Sequence, residues 1–483
     1  MRIAVKETHL GLRNSTTRLP FRYGAACLTR CPQALLCATV EVAGKISSGF
    51  AGDCLPPSWF DKSPDKDYET QVADMLAVIA LAEETFGEEL ATPTAFFPAW
   101  HRSLRRVHQR CVELNLPPLL ASFGVSMVER AIIDAVCRGC EMSFFAAIQA
   151  NVLGIDAGDI HASLDGLEPK DWLPATPTST IHVRHTVGLT DPLTAAEIPD
   201  DQRLADGFPH ALEEYVRRCG LRFFKIKVAN DLELDLARIR QIAAIIQQQR
   251  GVQYGVTLDG NEQYRNAVEF DQLVDAIRAD PALTTFWRNV VAIEQPLERS
   301  IALEDEHTSG VRALSSTKPV IIDESDGTLD AYPRAIEVGY RGVSSKNCKG
   351  PIKSLLNAGL TWIANGRGTR AEFLMTGEDL CTVGVIPVQA DLCLVATLGL
   401  THVERNGHHY HPGLSYLPTH EQQSALTAHG DLYARQHGVV APHIVDGKFA
   451  IGSIQCPGFG FAIEPDMDSM ASPDTWTFSS LGM

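Results

Sequence analysis

The residues best placed to do chemistry together are three lysines and three acids spread along the second half of the chain. Phe-Phe-Lys225-Ile-Lys227 closes one apolar run and Thr-Leu-Asp259-Gly-Asn261 closes the next. Ala-Ile-Glu294-Gln-Pro, Ile-Ile-Asp323-Glu-Ser and Ser-Ser-Lys346-Asn close the three that follow. Taken singly, each is ordinary: a Lys-x-Lys is a solvated strand end, an Asp-Gly-Asn a turn, a Glu-Gln-Pro a strand exit. Taken together, they put three carboxylates at successive strand ends with lysines on both sides. Buried like charges repel unless a cation neutralises them. Three carboxylates converging in one mouth therefore imply a hard divalent ion, and oxygen donors with open positions suit Mg²⁺. Side chains alternate along a strand, so Lys225 and Lys227 share a face, as do Asp259 and Asn261. By the same alternation Glu324 points away from the face of Asp323, which makes Asp323 the preferred ligand; a slip of one residue would reverse that choice.

Groups so spaced need a scaffold that brings strand ends together. From about Thr178, short β-like runs alternate with helical stretches, the pattern of a parallel (β/α)₈ barrel. Eight strands are expected: Ile181–Gly188, Arg222–Val228, Tyr254–Asp259, Val290–Glu294, Pro319–Asp323, Gly342–Lys346, Glu372–Thr376 and Thr401–Arg405. Helices are expected over Leu232–Arg250, Ala267–Ala279, Pro333–Val338, Pro351–Asn365 and Val388–Leu398, with a last one over Glu421–Gln436. In such a barrel the C-terminal strand ends build the active site, which is where the charged residues fall.

The first part of the chain reads as an α+β module. A small sheet is expected around Leu35–Val42, then helices over Tyr68–Phe86, His101–Leu114 and Val128–Asn151, and a linker holding Pro169, Pro174 and Pro177. The predicted division is residues 1–177 as an α+β capping domain, 178–437 as the barrel and 438–483 as a tail that returns to the cap. The whole chain of 483 residues is long enough for this.

Lys and Arg total 42 against 59 Asp and Glu, a formal charge of −17. That balance argues against nucleic-acid and membrane partners, which need a cationic face. It does not exclude a small carboxylate substrate, since a few lysines and a metal reverse the field locally. The N-terminus has no apolar core of a signal peptide, and Ala131–Ile155 is cut by Asp134, Arg138 and Glu141, so no membrane span is read. Twelve cysteines lack framework spacing. The close pair Cys137 and Cys140 has no second pair beside it, which suits reduced thiols in a cytoplasmic protein.

The set Lys225-x-Lys227, Asp259-x-Asn261, Glu294, Asp323 and Lys346 resembles the enolase superfamily, and within it the muconate-lactonising-enzyme subgroup. The resemblance covers most of the chain. It implies a Mg²⁺-dependent enzyme that removes a proton next to a carboxylate and passes through a metal-stabilised enediolate. It implies metal ligands at Asp259, Glu294 and Asp323. Lys227 would be the base on one face, with Lys225 its electrostatic partner and Lys346 the base or acid on the other face. Cationic neighbours are expected to lower the pKa of the base. Two opposed lysines point to a racemase or epimerase; the alternatives are a dehydratase or cycloisomerase, or a silent relative that binds a metal or small acid. Homo-oligomers are common in the family, and one is expected here.

Asn261 is read as orienting the substrate or a ligand. Glu378, in Thr-Gly-Glu-Asp after strand seven, is either a carboxylate facing the substrate or a solvated loop acid. No histidine stands on strand six or seven, which departs from the mandelate-racemase branch. His408-His409-Tyr410-His411 after strand eight is read as substrate contact or surface and not as zinc. Cys456-Pro-Gly-Phe-Gly-Phe lacks the Lys-Ser/Thr and helix of a phosphate loop. Two cap loops, Arg18–Cys27 and Phe50–Lys62, are expected over the mouth, with Trp59 and Phe60 touching substrate or packing the interface.

Overall fold

The structure is a computed structural model, and it describes residues 1–23 and 26–483. Alternating apolar residues at the start form an antiparallel sheet. β1 (Arg2–Tyr23), β2 (Ala26–Val42), β3 (Lys45–Cys54) and β4 (Thr94–Ala95) lie in the order β3-β2-β1-β4. Four helices pack with it: α1 (Tyr68–Glu89), α2 (Phe96–Glu113), α3 (Pro118–Gly139) and α4 (Phe144–Gln149). The single helix expected over Val128–Asn151 is two. α3 begins earlier, at Pro118, where a missing N–H costs nothing in a first turn. α4 starts afresh after Ser143, whose hydroxyl accepts from the Ala146 amide. Apolar composition runs through the break, so periodicity alone does not reveal it.

α3 is buried along nearly its whole length. A Cβ at Gly49 would lie 2.3 Å from the Ala131 carbonyl oxygen, so glycine is what lets β3 lie flat on this helix. The Asp134 carboxylate accepts from the amides of Phe50 (2.9 Å) and Phe459 (2.6 Å), joining β3 and the chain's end to the same helix.

The eight expected barrel strands all form. They are β5 (Thr180–Val187), β6 (Phe223–Lys227), β7 (Gly255–Asp259), β8 (Val290–Glu294), β9 (Val320–Ile321), β10 (Gly342–Ser345), β11 (Leu374–Gly377) and β12 (His402–Arg405). Each pairs in parallel with its sequence neighbour, and β12 pairs with β5. The circle closes between β9 and β10, where the Ser344 amide donates to Ile322 (2.9 Å). Helices α5 (Leu212–Cys219), α6 (Leu232–Arg250), α7 (Ala267–Ala279), α8 (Thr284–Asn289), α9 (Thr308–Ser315), α10 (Ala331–Val338), α11 (Pro351–Ala364) and α12 (Ile386–Thr397) run between the strands. The fold is a (β/α)₈ barrel with an antiparallel N-terminal cap.

The end of the chain departs from expectation in one place. The helix expected over Glu421–Gln436 is only α14 (Thr419–Ala428), which follows the short α13 (Gly407–Tyr410). Tyr433–Gln436 is instead a strand, β13, hairpinned to β14 (Val439–Pro442). The helix stops at Ala428, where His429 leaves the helical region (φ −133°, ψ 45°) and Gly430 follows, while His437 and Gly438, both at positive φ, turn β13 back onto β14. β15 (Lys448–Ala450) then pairs with β5 of the barrel. The last residues reach the cap: Leu12 pairs with Ala471, and Asn14 donates to the Ser480 carbonyl (3.0 Å). Among the described residues no helix is long and apolar enough to cross a membrane, and all twelve cysteines are free thiols.

Candidate active site

Strand register explains why the charged residues meet. Lys227 pairs with Asp259, Asp259 with Glu294, and Glu294 with Ile321. Residues in register on neighbouring strands point to the same face, so these three side chains turn inward together. One layer deeper, Thr186 pairs with Lys225.

The Lys225 ammonium is fully buried and sits among four carboxylates: Glu294 (2.6 Å), Glu378 (2.8 Å), Glu404 (3.0 Å) and Asp259 (3.1 Å). Lys227 reaches Asp259 Oδ2 at 2.5 Å. Across the mouth, Lys346 meets Asp323 Oδ2 (2.6 Å), and Lys349 meets Asp323 Oδ1 (3.2 Å) and the Ser344 carbonyl (2.7 Å). Ser344 Oγ also donates to Asp323.

Burial alone would lower the lysines' pKa values, but the surrounding carboxylates prevail. Asp259, Glu294, Glu378 and Glu404 hold Lys225 well above the ordinary lysine value, and Asp323 raises Lys346. For these two lysines the nearest charges are anions, and anions favour the ammonium. Among the acids, burial works against ionisation everywhere. Lys346 and Lys349 nevertheless hold Asp323 well below the usual carboxylate range, and Lys225 and Lys227 lower Asp259. Glu294 goes the other way: burial and the charge of Glu378 push it well up. Lys225, Lys227 and Arg184 together face these four carboxylates, one cation short of balance.

Above these groups lies a small cavity, half open to solvent. Lys225, Lys227, Asn261, Asp323 and Lys346 line it from the barrel, and Phe21, Tyr23, Pro56 and Trp59 from the cap. Both cap segments thus reach the mouth. The first is the end of a β-hairpin and not a free loop; Gly24 and Ala25 of the expected Arg18–Cys27 segment lie outside the described residues. The second is strand to Cys54 and loop beyond it. Tyr23 OH donates to the Pro57 carbonyl (2.7 Å), tying the two together. Trp59 stands 4.9 Å from Lys346 Nζ, a cation–π contact, while Phe60 packs on Phe123.

Three placements correct the alternation argument or the loop reading. Glu324 lines the cavity beside Asp323 instead of facing away. β9 ends at Ile321, so Asp323 and Glu324 stand in a turn where strand alternation no longer holds. Asn261 donates to Glu324 Oε1 at 3.0 Å. Glu378 is not a solvated loop acid. It is buried below the cavity between Lys225 and Arg184, and burial raises its pKa to about 7. His409 and His411 are not on the surface either: both are buried, and the cavity lining does not include them.

Glu404, Asn406 and Asp379 carry no motif in the sequence, yet they line the same cavity. Glu404 accepts from Thr186 (2.6 Å) and Asn406 (3.1 Å), and Asn406 also donates to Asp379 (2.8 Å). The available signal was Glu404-Arg-Asn406, an acid two residues before an amide at a strand end, as in Asp259-Gly-Asn261.

Among the described residues no three Cys, His, Asp or Glu side chains are drawn together as a ready-made metal cluster. Lysine ammoniums lie against the carboxylates instead. Two features nonetheless fit a cation. The donors on strands three to five are all oxygens, and Glu294 Oε2 and Glu324 Oε2 are buried with no hydrogen-bond partner.

No protein-family model matches this sequence, and no curated protein matches it. Solved structures do match. A mandelate racemase/muconate lactonizing protein from Herpetosiphon aurantiacus is similar with a TM-score of 0.60 and 15% identity, over 95% of this chain and 99% of that one. A dipeptide epimerase from Enterococcus faecalis, complexed with Mg and the dipeptide L-Leu-L-Tyr, has a TM-score of 0.57 and 13% identity over 95% and 99%. A 2-chloromuconate cycloisomerase from Rhodococcus opacus has 0.59 and 14% over 95% and 97%. What these solved structures share with this chain is the fold, a (β/α)₈ barrel with an N-terminal cap, built here on a divergent sequence.

Proposed function

We propose that the chain is a Mg²⁺-dependent enzyme that abstracts the proton next to a carboxylate of a small acid, acting as a racemase or epimerase. The observation that carries this is the cavity itself, lined by Lys227 on one side and by Lys346 and Asp323 on the other, with Asp259 at the end of β7 against Lys227 and Glu294 at the end of β8 buried against Lys225.

In this reading Asp259, Glu294 and Asp323 hold the metal, which when bound neutralises the substrate carboxylate and lowers the cost of further negative charge beside it. The chain's own groups do the rest. Lys227 takes the proton on one face and Lys346 returns one on the other. For either lysine to act as a base it must first be neutral. Asp323 is the anion that raises Lys346, and its turning to the metal would ease that lysine toward the neutral form. Lys225 holds Glu294 and Glu404 in place beneath. Asn261 and Glu378 were expected near the substrate; Asn261 orients Glu324 at the cavity wall, and Glu378 acts from below through Lys225. Phe21, Tyr23 and Trp59 shield the reacting carbon from water.

The test is exchange of the α-hydrogen in D₂O, with and without Mg²⁺, over N-acyl amino acids, dipeptides and hydroxy acids. Exchange with inversion supports the epimerase. Exchange with loss of water or ring formation moves the assignment to a dehydratase or cycloisomerase. No exchange on any carboxylate leaves only a silent binder.

A further inference from the structure

We propose that Arg299, in the loop after β8, is a positioning residue that latches the cap loop of residues 55–62 onto the barrel and so sets Trp59 as the wall of the cavity over Lys346. The guanidinium donates to two cap carbonyls, Trp59 (3.0 Å) and Phe60 (3.2 Å). It is itself clamped by Glu262, with Nε to Oε1 at 2.7 Å and Nη2 to Oε2 at 2.8 Å. This two-pronged, charge-assisted geometry fixes the direction of the guanidinium as well as its position. Lys62, at the far end of the same cap loop, pairs with Glu262 too. The second half of the loop is thus fastened to one buried carboxylate, through Arg299 at Trp59 and Phe60 and directly at Lys62.

Glu262 is held at a backbone cost. Its φ is +67°, and that of Asn261 beside it is +45°. Non-glycine residues keep such conformations only where the surroundings impose them, and they gather at functional sites. The turn from Asp259 to Glu262 carries a candidate ligand at one end and the latch at the other. Occupation of the mouth and closure of the cap loop therefore act on the same four residues. The other half of the cap's grip is different in kind. Arg18 of β1 reaches down to Asp206 (2.7 Å) and the His409 carbonyl (2.9 Å), and neither group lines the cavity.

The substrate arm of the test rests on the function proposed above; the exchange arm does not. Hydrogen–deuterium exchange is followed on the full chain for wild type, Arg299→Met and Arg299→Lys. The reporters are the loop amides of Leu55, Ser58 and Ser63, each hydrogen-bonded in the closed loop. In Arg299→Met their exchange rises on the order of tenfold while the barrel strands stay protected; Arg299→Lys, which keeps the charge but not the fork, falls between. Unchanged loop exchange overturns the latch. An equal rise through the barrel strands also overturns it, because Arg299 is then only a structural prop. On an acid that undergoes α-exchange, Arg299→Met raises KM about tenfold and changes kcat less, as expected when uniform binding is lost. An unchanged KM overturns the link to substrate. If no acid reacts, the proposed function fails and the exchange result still decides the latch.

Discussion

Strand β5 separates two polar clusters that solve burial in opposite ways. Arg184 and Thr186 face into the barrel, and there buried ions are set against one another: Arg184 against Glu378, Lys225 against four carboxylates, and Asp323 against Lys346 and Lys349. His185, between them, faces outward. Its Nδ1 meets His408 Nε2 at 3.0 Å, and His409 Nδ1 meets Tyr215 OH at 2.7 Å. Among the described residues no carboxylate hydrogen-bonds any of these three rings, though Asp191 Oδ2 stands 3.8 Å from His409 Nε2. Burial lowers His185 to about 3, and His408 and His409 well below the usual value, so this cluster stays neutral. The difference teaches what each region is for. A cluster of neutral rings packs like core. A cluster of paired ions costs desolvation that apolar residues would avoid, and the chain keeps it where charge is to be moved.

The largest effect separating the regions is on turnover. Lys227→Ala or Lys346→Ala lowers α-hydrogen exchange by roughly a thousandfold or more, the scale of a lost general acid or base. Circular dichroism and Mg²⁺ titration of the same variants remain close to wild type. Near-normal turnover in either one breaks the two-lysine assignment.

Next in size is stability. Lys225→Met strands four carboxylates around an uncharged side chain and costs about 3–5 kcal/mol in urea unfolding. Mg²⁺ recovers part of that loss if the carboxylates accept the cation. His185→Phe, on the other face of the strand, keeps ring packing and costs less. Equal losses in the two variants would erase the distinction between paired ions and neutral core.

Glu294→Gln tests the metal set alone. Its calorimetric Mg²⁺ affinity falls by at least about tenfold, since even groups beyond the direct ligands are worth that much. Unchanged affinity removes Glu294 from the set.

The smallest effect is in pH. His185 has a folded pKa below its unfolded value, 6.5 against about 3. The unfolded chain takes up the proton first, so the stability this group contributes is full above 6.5 and is lost as pH falls below it. His411, at about 4, adds in the same direction. Asp323 is also depressed, but from 3.8 downward, so its contribution is lost only in more acid solution. Chemical denaturation from pH 6.5 to 4 therefore reads the histidines against buried acids such as Glu378, raised to about 7, which add stability as pH falls; His185→Phe removes the His185 share and should lessen the acid loss. An identical slope in wild type and variant places the loss elsewhere.

The barrel and its charged rim were legible in the sequence because each strand announces itself locally. Runs such as Phe223–Lys227 and Val290–Glu294 are apolar, short and closed by a charge, and the structure forms them within a residue or two. The strand ending at Asp323 was read too long, and that error hid Glu324: once β9 stops at Ile321, a turn and not strand alternation directs both acids. Glu404 escaped notice because its strand end carries one acid among ordinary residues. Its role comes from Thr186, Lys225 and Asn406, which lie far from it in sequence or are silent as motifs. The break between α3 and α4 was hidden by continuous apolar composition.

By itself, the sequence determined the alternation of strands and helices, the set of lysines and acids, and the order in which strand ends present them, because local periodicity and residue type encode these directly. Only the tertiary structure decided which ammonium meets which carboxylate, that the mouth holds more anions than one lysine can satisfy, and that Arg299 holds the cap loop in place. Those depend on register between strands and on contacts across the cap, which bring together side chains that no stretch of sequence contains.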